Sequence, residues 1–127
     1  MPEMEYLIAT HSYMASGLRD AVEMLTGKKQ NITVINAYID SDSFETELEK
    51  ALQTIQGQNI IVLTDLLSGS VNQALMRYKG DKQLYLAAGV NLPFALALLE
   101  TDAEADTEAR LRGCVERARE QMVFEKI

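Results

Sequence analysis

The chain is poor in the groups on which most metal and thiol chemistry depends. Its 127 residues include one cysteine, Cys114, and one histidine, His11. A single thiol excludes a disulfide framework within one chain and any multi-thiol metal site. With no second histidine, a zinc site would rest almost wholly on carboxylates. No metal and no cofactor are therefore expected, and Cys114, inside an amphipathic helical pattern, reads as a packing residue. Basic charge is scarce too. Twelve Lys and Arg stand against nineteen Asp and Glu, for a formal charge of −7, and Lys28-Lys29 is the only adjacent basic pair. No nucleic-acid partner is expected, because phosphate contacts need clustered cations. No apolar run approaches the roughly 18 residues of a membrane span. Met1-Pro2-Glu3-Met4-Glu5 lacks the charged-then-apolar pattern of a secretion signal, so a cytoplasmic location is expected. Walker-type and G-x-G-x-x-G loops are missing, and Ser68-Gly69-Ser70 does not match the G-x-S-x-G nucleophile elbow.

What is present is ordinary for a globular protein. Apolar residues make up 47% and charged residues 24%, and the length suits one domain, 1–127, with a real core. Four apolar runs predict strands at Tyr6–Thr10, Ile32–Tyr38, Asn59–Thr64 and Gln83–Val90. Between them the spacing predicts helices. The first runs from Ser12 or Tyr13 to Leu25, with Met14, Leu18, Ala21, Val22 and Leu25 inward and Gly17 allowing close packing on the sheet. The second carries Phe44, Leu48, Ala51, Leu52 and Ile55 and closes at Gly57. The third spans Ser70–Lys79, and a short helix covers Phe94–Glu100. The last spans Glu104–Glu120, with Leu111, Val115, Ala118 and Met122 on its stripe. The tail, Met122–Ile127, either prolongs that helix or forms a final strand. Alternating strands and helices give an open, doubly wound, mainly parallel α/β sheet of order 2-1-3-4. Its switch point lies between strands one and three, where open sheets gather ligands and chemistry.

Two side chains are delivered to that point. Ile60-Ile61-Val62-Leu63-Thr64 runs straight into Asp65, and Tyr6-Leu7-Ile8-Ala9-Thr10 ends in His11. A neutral imidazole is a competent nucleophile near pH 7. A carboxylate accepting one ring N–H fixes the tautomer and stabilises the positive character that develops when the other nitrogen attacks phosphorus. The helix starts near Ser12–Tyr13 and Ser68–Ser70 offer backbone N–H groups to phosphate oxygens. Gly69 permits close backbone approach, and the hydroxyls of Thr10, Ser68 and Ser70 are candidate donors. A response-regulator receiver would carry an acidic pair after strand one, where this chain has Thr10-His11.

Ala9-Thr10-His11-Ser12 with Ala15-Ser16-Gly17-Leu18, Leu63-Thr64-Asp65 with Ser68-Gly69-Ser70-Val71-Asn72, and Ala88-Gly89-Val90-Asn91-Leu92-Pro93 resemble the enzyme IIA domain of the mannose family of the bacterial sugar phosphotransferase system. The resemblance covers essentially the whole chain in order. It implies a phosphohistidine enzyme in which His11 accepts a phosphoryl group from HPr and passes it to a IIB component, with Asp65 orienting the histidine. It also implies indirect association with membrane IIC and IID components, and a homodimer that exchanges a C-terminal strand. That last point makes Met122–Lys126 a strand. The chain departs from the family at Ser12 and at Ser68, where many members carry glycine. Ser12 then either donates to the phosphate or crowds a partner. Asn91 is a candidate polar contact at the rim, and Pro93 reads as a first-turn helix residue. Two rival functions fit the same residues: the phosphotransfer subunit of a dihydroxyacetone kinase system, and a non-catalytic regulatory module. An end at Ile127, without fused carrier domains, points to transport. The sugar itself is not legible.

Overall fold

The computed structural model describes residues 4–101 and 106–127. These fall into two units, one ending at Val90 and one beginning at Asn91. The first holds strands β1 (Met4–His11), β2 (Ile32–Ala37), β3 (Asn59–Thr64) and β4 (Gln83–Ala87), with helices α1 (Met14–Thr26), α2 (Phe44–Thr54) and α3 (Ser70–Met76). All strand pairings are parallel and the order is β2-β1-β3-β4, as the alternation of elements predicts.

The central strands β1 and β3 read as apolar runs because both of their faces are buried. Leu7, Ile8 and Ala9 of β1 and Ile60 to Leu63 of β3 are shut away from solvent. Alternation sends Leu7, Ala9, Ile35, Ala37, Ile60 and Val62 to one face, where Phe44, Leu48 and Leu52 of α2 and Val71, Ala74 and Leu75 of α3 pack on them. Residues of opposite parity meet α1: the Thr10 hydroxyl accepts the Ala15 N–H at 2.7 Å, and Asn36 Oδ1 accepts the Ser16 N–H at 3.1 Å. Ser43 caps α2 by accepting the Thr46 N–H, and Gly27 ends α1 in the left-handed region at φ 73.

Several elements differ from the expectation in extent or facing. The buried line of α1 is Ala15, Leu18 and Val22, while Met14 and Leu25 are exposed. Leu18 and Val22 face inward as expected, and at the first turn Ala15 takes the buried place, its N–H bonded to the Thr10 hydroxyl. Gly17 faces solvent with open space around it and packs on nothing. α2 stops at Thr54, short of Gly57, because Ile55 turns extended and buries its side chain. The Lys82 ammonium donates to the freed Ile55 and Gly57 carbonyls at 2.7 and 2.8 Å. α3 stops at Met76, and the chain then folds back so that the Tyr78 hydroxyl accepts the Lys82 N–H. β4 ends at Ala87, since Val90 returns its N–H to the Thr64 carbonyl. Glu47 of α2 is partly covered. Burial, reinforced by Asp40 and Asp42, raises its carboxyl above the usual range.

In the second unit α4 (Leu92–Glu100) is capped by Asn91, whose Oδ1 accepts the Phe94 N–H at 2.9 Å, with Pro93 in the first turn. Asn91 is thus a cap. α5 (Thr107–Glu120) begins at Asp106, which accepts the Ala109 N–H. The expected start at Glu104 lies outside the described residues. The buried stripe of α5 is Arg110, Cys114 and Ala118, not Leu111, Val115 and Met122. Arg110 gives its guanidinium to the Leu98 carbonyl and the Thr101 hydroxyl at 2.7 and 2.8 Å, closing the end of α4. Burial pushes the Cys114 thiol up, against the Thr101 hydrogen bond and the charges of Arg110 and Arg117, so it stays protonated. Beyond Glu120 the tail is neither helix nor paired strand among the described residues. Met122, Val123, Phe124 and Ile127 are exposed.

A glycine inside an exposed helical turn costs stability without serving packing. Gly17→Ala is expected to raise the unfolding free energy by roughly 0.5–1 kcal/mol, read as a higher denaturant midpoint at unchanged m-value. A lower midpoint would show that the open space at this position is occupied in the folded protein.

Candidate active site

The parallel register ends with Thr10 opposite Asn36, His11 opposite Ala37, and Ala9 opposite Thr64. One step on, Asp65 stands opposite Thr10, and its side chain reaches the next residue of β1, His11. Asp65 Oδ2 lies 2.9 Å from the His11 backbone N–H donor and 2.9 Å from His11 Nδ1. One carboxylate oxygen holds both the end of the strand and the ring on it. The Asp65 side chain is 11% exposed and that of His11 38%, so the acid sits beneath and the imidazole faces outward. Burial pushes the Asp65 carboxyl up, but bonds from the His11 N–H and ring, its own N–H and the His11 charge outweigh it. The net is a carboxyl held below its usual range. An ionised carboxylate can only accept, so the neutral ring carries its proton on Nδ1 and its lone pair on Nε2. This tautomer is assigned from the partner.

The turn after Asp65 is shaped from within. Asn72, 5% exposed, accepts the Thr64 hydroxyl on Oδ1 at 2.9 Å and donates Nδ2 to the Leu67 carbonyl at 2.8 Å. Gly69 closes the turn by donating to Leu66 O at 3.2 Å, and Gln73 Nε2 holds the Ser68 carbonyl at 3.2 Å. A Cβ on Gly69 would stand 3.1 Å from His11 Cε1 and 3.1 Å from Leu66 Cβ, tight enough that the imidazole would have to move. Glycine here lets the turn lie against the ring. Ser70, at the head of α3, shares a 2.6 Å hydrogen bond with the Tyr38 hydroxyl. The Tyr38 ring is 5.3 Å from the His11 ring, centre to centre, at 42°.

Of the residues expected at the site, His11, Asp65 and Gly69 are in contact, and Ser70 joins them through Tyr38. Ser68 is exposed on the same turn. Thr10 is a correction: it is fully buried and its hydroxyl accepts the Ala15 N–H, so it caps α1 and cannot reach a phosphate on the surface. Ser12 is exposed at φ 54, in the left-handed region. Its N–H is taken by the Ala37 carbonyl at 2.9 Å, which leaves only its hydroxyl for a ligand. The strain of a non-glycine residue there, on the order of 1 kcal/mol, gives the physical reason a glycine suits this position. Two further residues shape the site. Tyr38 reads in the sequence as the last residue of a strand, and Asn72 stands there only as the end of the Ser68–Asn72 motif, with no role of its own. A buried-side asparagine three residues past a Ser-Gly turn was the one available signal for the second.

The α/β domain thus carries, at the switch point of a parallel sheet, a histidine held by a carboxylate and flanked by a hydroxyl-bearing turn. Residues 5–116 match the family described as the PTS system fructose IIA component, EIIA-man. The chain belongs to that family, and its role lies in a sugar phosphotransferase system. Among solved structures, it is 30% identical to a Klebsiella pneumoniae protein assigned as a phosphoenolpyruvate-dependent sugar phosphotransferase system permease. The TM-score there is 0.88, covering 97% of this chain and 91% of that one. Two others share the fold: phosphotransferase system component EIIA from Streptococcus agalactiae (22% identity, TM-score 0.77, 95% and 96% covered) and the mannose/sorbose specific IIA subunit from Enterococcus faecalis (17%, 0.74, 98% and 96%). No curated protein sequence matches the chain.

Because the folded-state value of Asp65 is depressed, its contribution to stability is fully present above the unfolded carboxylate value of about 3.9. It is lost as pH falls through the folded value below that. Asp65→Asn should therefore flatten the acid side of the stability curve relative to wild type, measured by urea unfolding between pH 2 and pH 7. Parallel curves for the two proteins would show that the carboxylate gains nothing from its two donors.

Proposed function

We propose that the chain relays a phosphoryl group on His11, accepting it from phospho-HPr and passing it to a IIB component that serves membrane IIC and IID partners. The observation that carries this reading is the tie of His11 Nδ1 to Asp65, which leaves Nε2 unprotonated and facing outward. In the forward step Nε2 bonds to phosphorus while the donor's phosphoryl bond breaks, its electron pair leaving with the donor. Asp65, ionised, stabilises the cationic ring so formed. In the onward step the acceptor's nucleophile bonds to phosphorus, the N–P bond breaks, and Nε2 recovers its lone pair. The hydroxyls of Ser68, Ser70 and Ser12 and the backbone beside Gly69 are the groups placed to meet phosphoryl oxygens. Exposed Tyr13, Leu66 and Leu67 form the apolar rim on which both protein partners dock. The chain acts as one IIA domain in the cytoplasm, a reading supported by a family match that runs through both units.

The test is intact-protein mass after incubation with phosphoenolpyruvate, enzyme I and HPr. A gain of one acid-labile phosphate, absent in His11→Ala and slowed on the order of 10²-fold in Asp65→Asn, is expected. No gain with HPr demonstrably charged would end the relay reading and favour a regulatory module.

The same reading includes a homodimer closed by exchange of the tail. Two features support it: exposed Met122, Val123 and Phe124 in an unpaired segment, and an edge on β4, which pairs only with β3 among the described residues. Sedimentation should give a dimer for the full chain and a monomer for a chain ending at Gln121. A full-length monomer at tens of micromolar would rule the exchange out.

A further inference from the structure

Tyr38 is the residue immediately after β2, and it is held in a way the fold alone does not require. Its backbone is left-handed at φ 68, and Ser12, at φ 54, is the other non-glycine residue with positive φ among those described. The two are consecutive with the last β1–β2 pair, His11 and Ala37. Its side chain is not core, being 47% exposed. An exposed aromatic residue on an unfavourable backbone, with a ring against the nucleophile and a 2.6 Å bond to the turn, is an arrangement that sites retain and scaffolds do not.

The His11 ring is bounded on three sides. Asp65 holds Nδ1, the Gly69 turn lies beside Cε1 with too little space for a side chain between them, and the Tyr38 ring lies 5.3 Å away, centre to centre. A ring tied only at Nδ1 can still tilt, which swings Nε2 through the volume where phosphorus must arrive. The Tyr38 hydroxyl then reaches from this ring to Ser70. That hydroxyl pair carries two protons and uses one between its members. A phenol is a stronger acid than an aliphatic alcohol and is the natural donor of the two. A serine hydroxyl that accepts such a bond becomes a better donor through its own proton, and an anionic phosphoryl oxygen is the acceptor such a donor suits.

We propose that Tyr38 is a positioning residue for phosphoryl transfer: its ring fixes the tilt of the His11 imidazole, and its hydroxyl donates to Ser70 Oγ so that the Ser70 proton points at the phosphoryl oxygens on Nε2. The inference rests on the relay reading above and adds a residue to it. It predicts that the Tyr38 hydroxyl and the Ser70 hydroxyl act as one unit.

The experiment is rapid-quench phosphorylation of His11 by phospho-HPr, at varied HPr, for wild type, Tyr38→Phe, Tyr38→Leu, Ser70→Ala and the Tyr38→Phe/Ser70→Ala pair. Tyr38→Phe should lower the saturating rate by about tenfold, the scale of one charge-assisted hydrogen bond, and leave KM within twofold. Tyr38→Leu, which also removes the ring, should lower it further. The double variant should match Ser70→Ala alone, because the Tyr38 hydroxyl acts only through Ser70. Proton–nitrogen spectra of the imidazole give a second readout. The ring-current shift of the His11 carbon-bound protons should persist in Tyr38→Phe and vanish in Tyr38→Leu. A rate unchanged in Tyr38→Phe, an effect confined to KM, or independent multiplication of the two hydroxyl losses would overturn the inference while leaving the relay intact. A wild type that takes no phosphate would overturn both together. Thermal melts within a few degrees of wild type separate these outcomes from loss of fold.

Discussion

The site depends on a single acceptor, Asp65 Oδ2, which takes two hydrogen bonds from one residue. The first, from the His11 backbone N–H, continues the β1–β3 contact one step past the register of the ladder. The second, from Nδ1, orients the ring relative to that same backbone. Because both run to one oxygen, the imidazole is referenced directly to the sheet, the most rigid part of the fold, and not to a loop. The carboxylate is largely buried, which raises the cost of its charge, yet its donors more than offset that cost. A neutral amide at this position would accept more weakly and could present its NH₂ to Nδ1, reversing the tautomer that leaves Nε2 free.

Around this pair, polar residues at strand ends do the positioning that apolar residues cannot. Thr10 caps α1, Asn36 ties Ser16 to β2, and Thr64 works through Asn72 to hold the turn at Leu67. Each is the last or next-to-last residue of its strand, where neighbouring helices begin and leave backbone donors unpaired. The arrangement fixes where α1 and α3 start, and hence where Gly69 and Ser70 stand relative to the imidazole. Positional accuracy at the surface is thus borrowed from hydrogen bonds made inside.

This division explains what is legible in the sequence. The strands, their parallel order and the meeting of His11 with Asp65 follow from apolar runs that end in a polar residue, because burial on both faces leaves an unambiguous pattern. Helix facings were less legible. The α5 stripe runs through Arg110, a residue that periodicity counts as polar although its guanidinium is used on Leu98 and Thr101. The first turn of α1 buries Ala15, whose N–H is bonded to the Thr10 hydroxyl. Thr10 reads as a surface donor for the same reason: the direction of its hydroxyl is set by a partner 5 residues away, and composition says nothing of it. Tyr38 was hidden most completely, since an aromatic residue after a strand reads as more strand.

The left-handed pair at Ser12 and Tyr38 belongs to the same logic. Where β1 and β2 end together, the Ser12 N–H still donates to the Ala37 carbonyl, so the ladder persists until the chain must turn away within a single residue. Glycine would make either turn with little strain. At position 12 a serine tolerates it, having a short side chain that solvent can reach. At position 38 a glycine would relieve the backbone but leave the His11 ring without its neighbour and Ser70 without its partner. Strain at that residue is therefore the local cost of placing a phenol whose ring lies beside the imidazole and whose hydroxyl bonds to Ser70. The rigid parallel sheet beneath, with its buried strands and doubly bonded carboxylate, is what allows the cost to be borne.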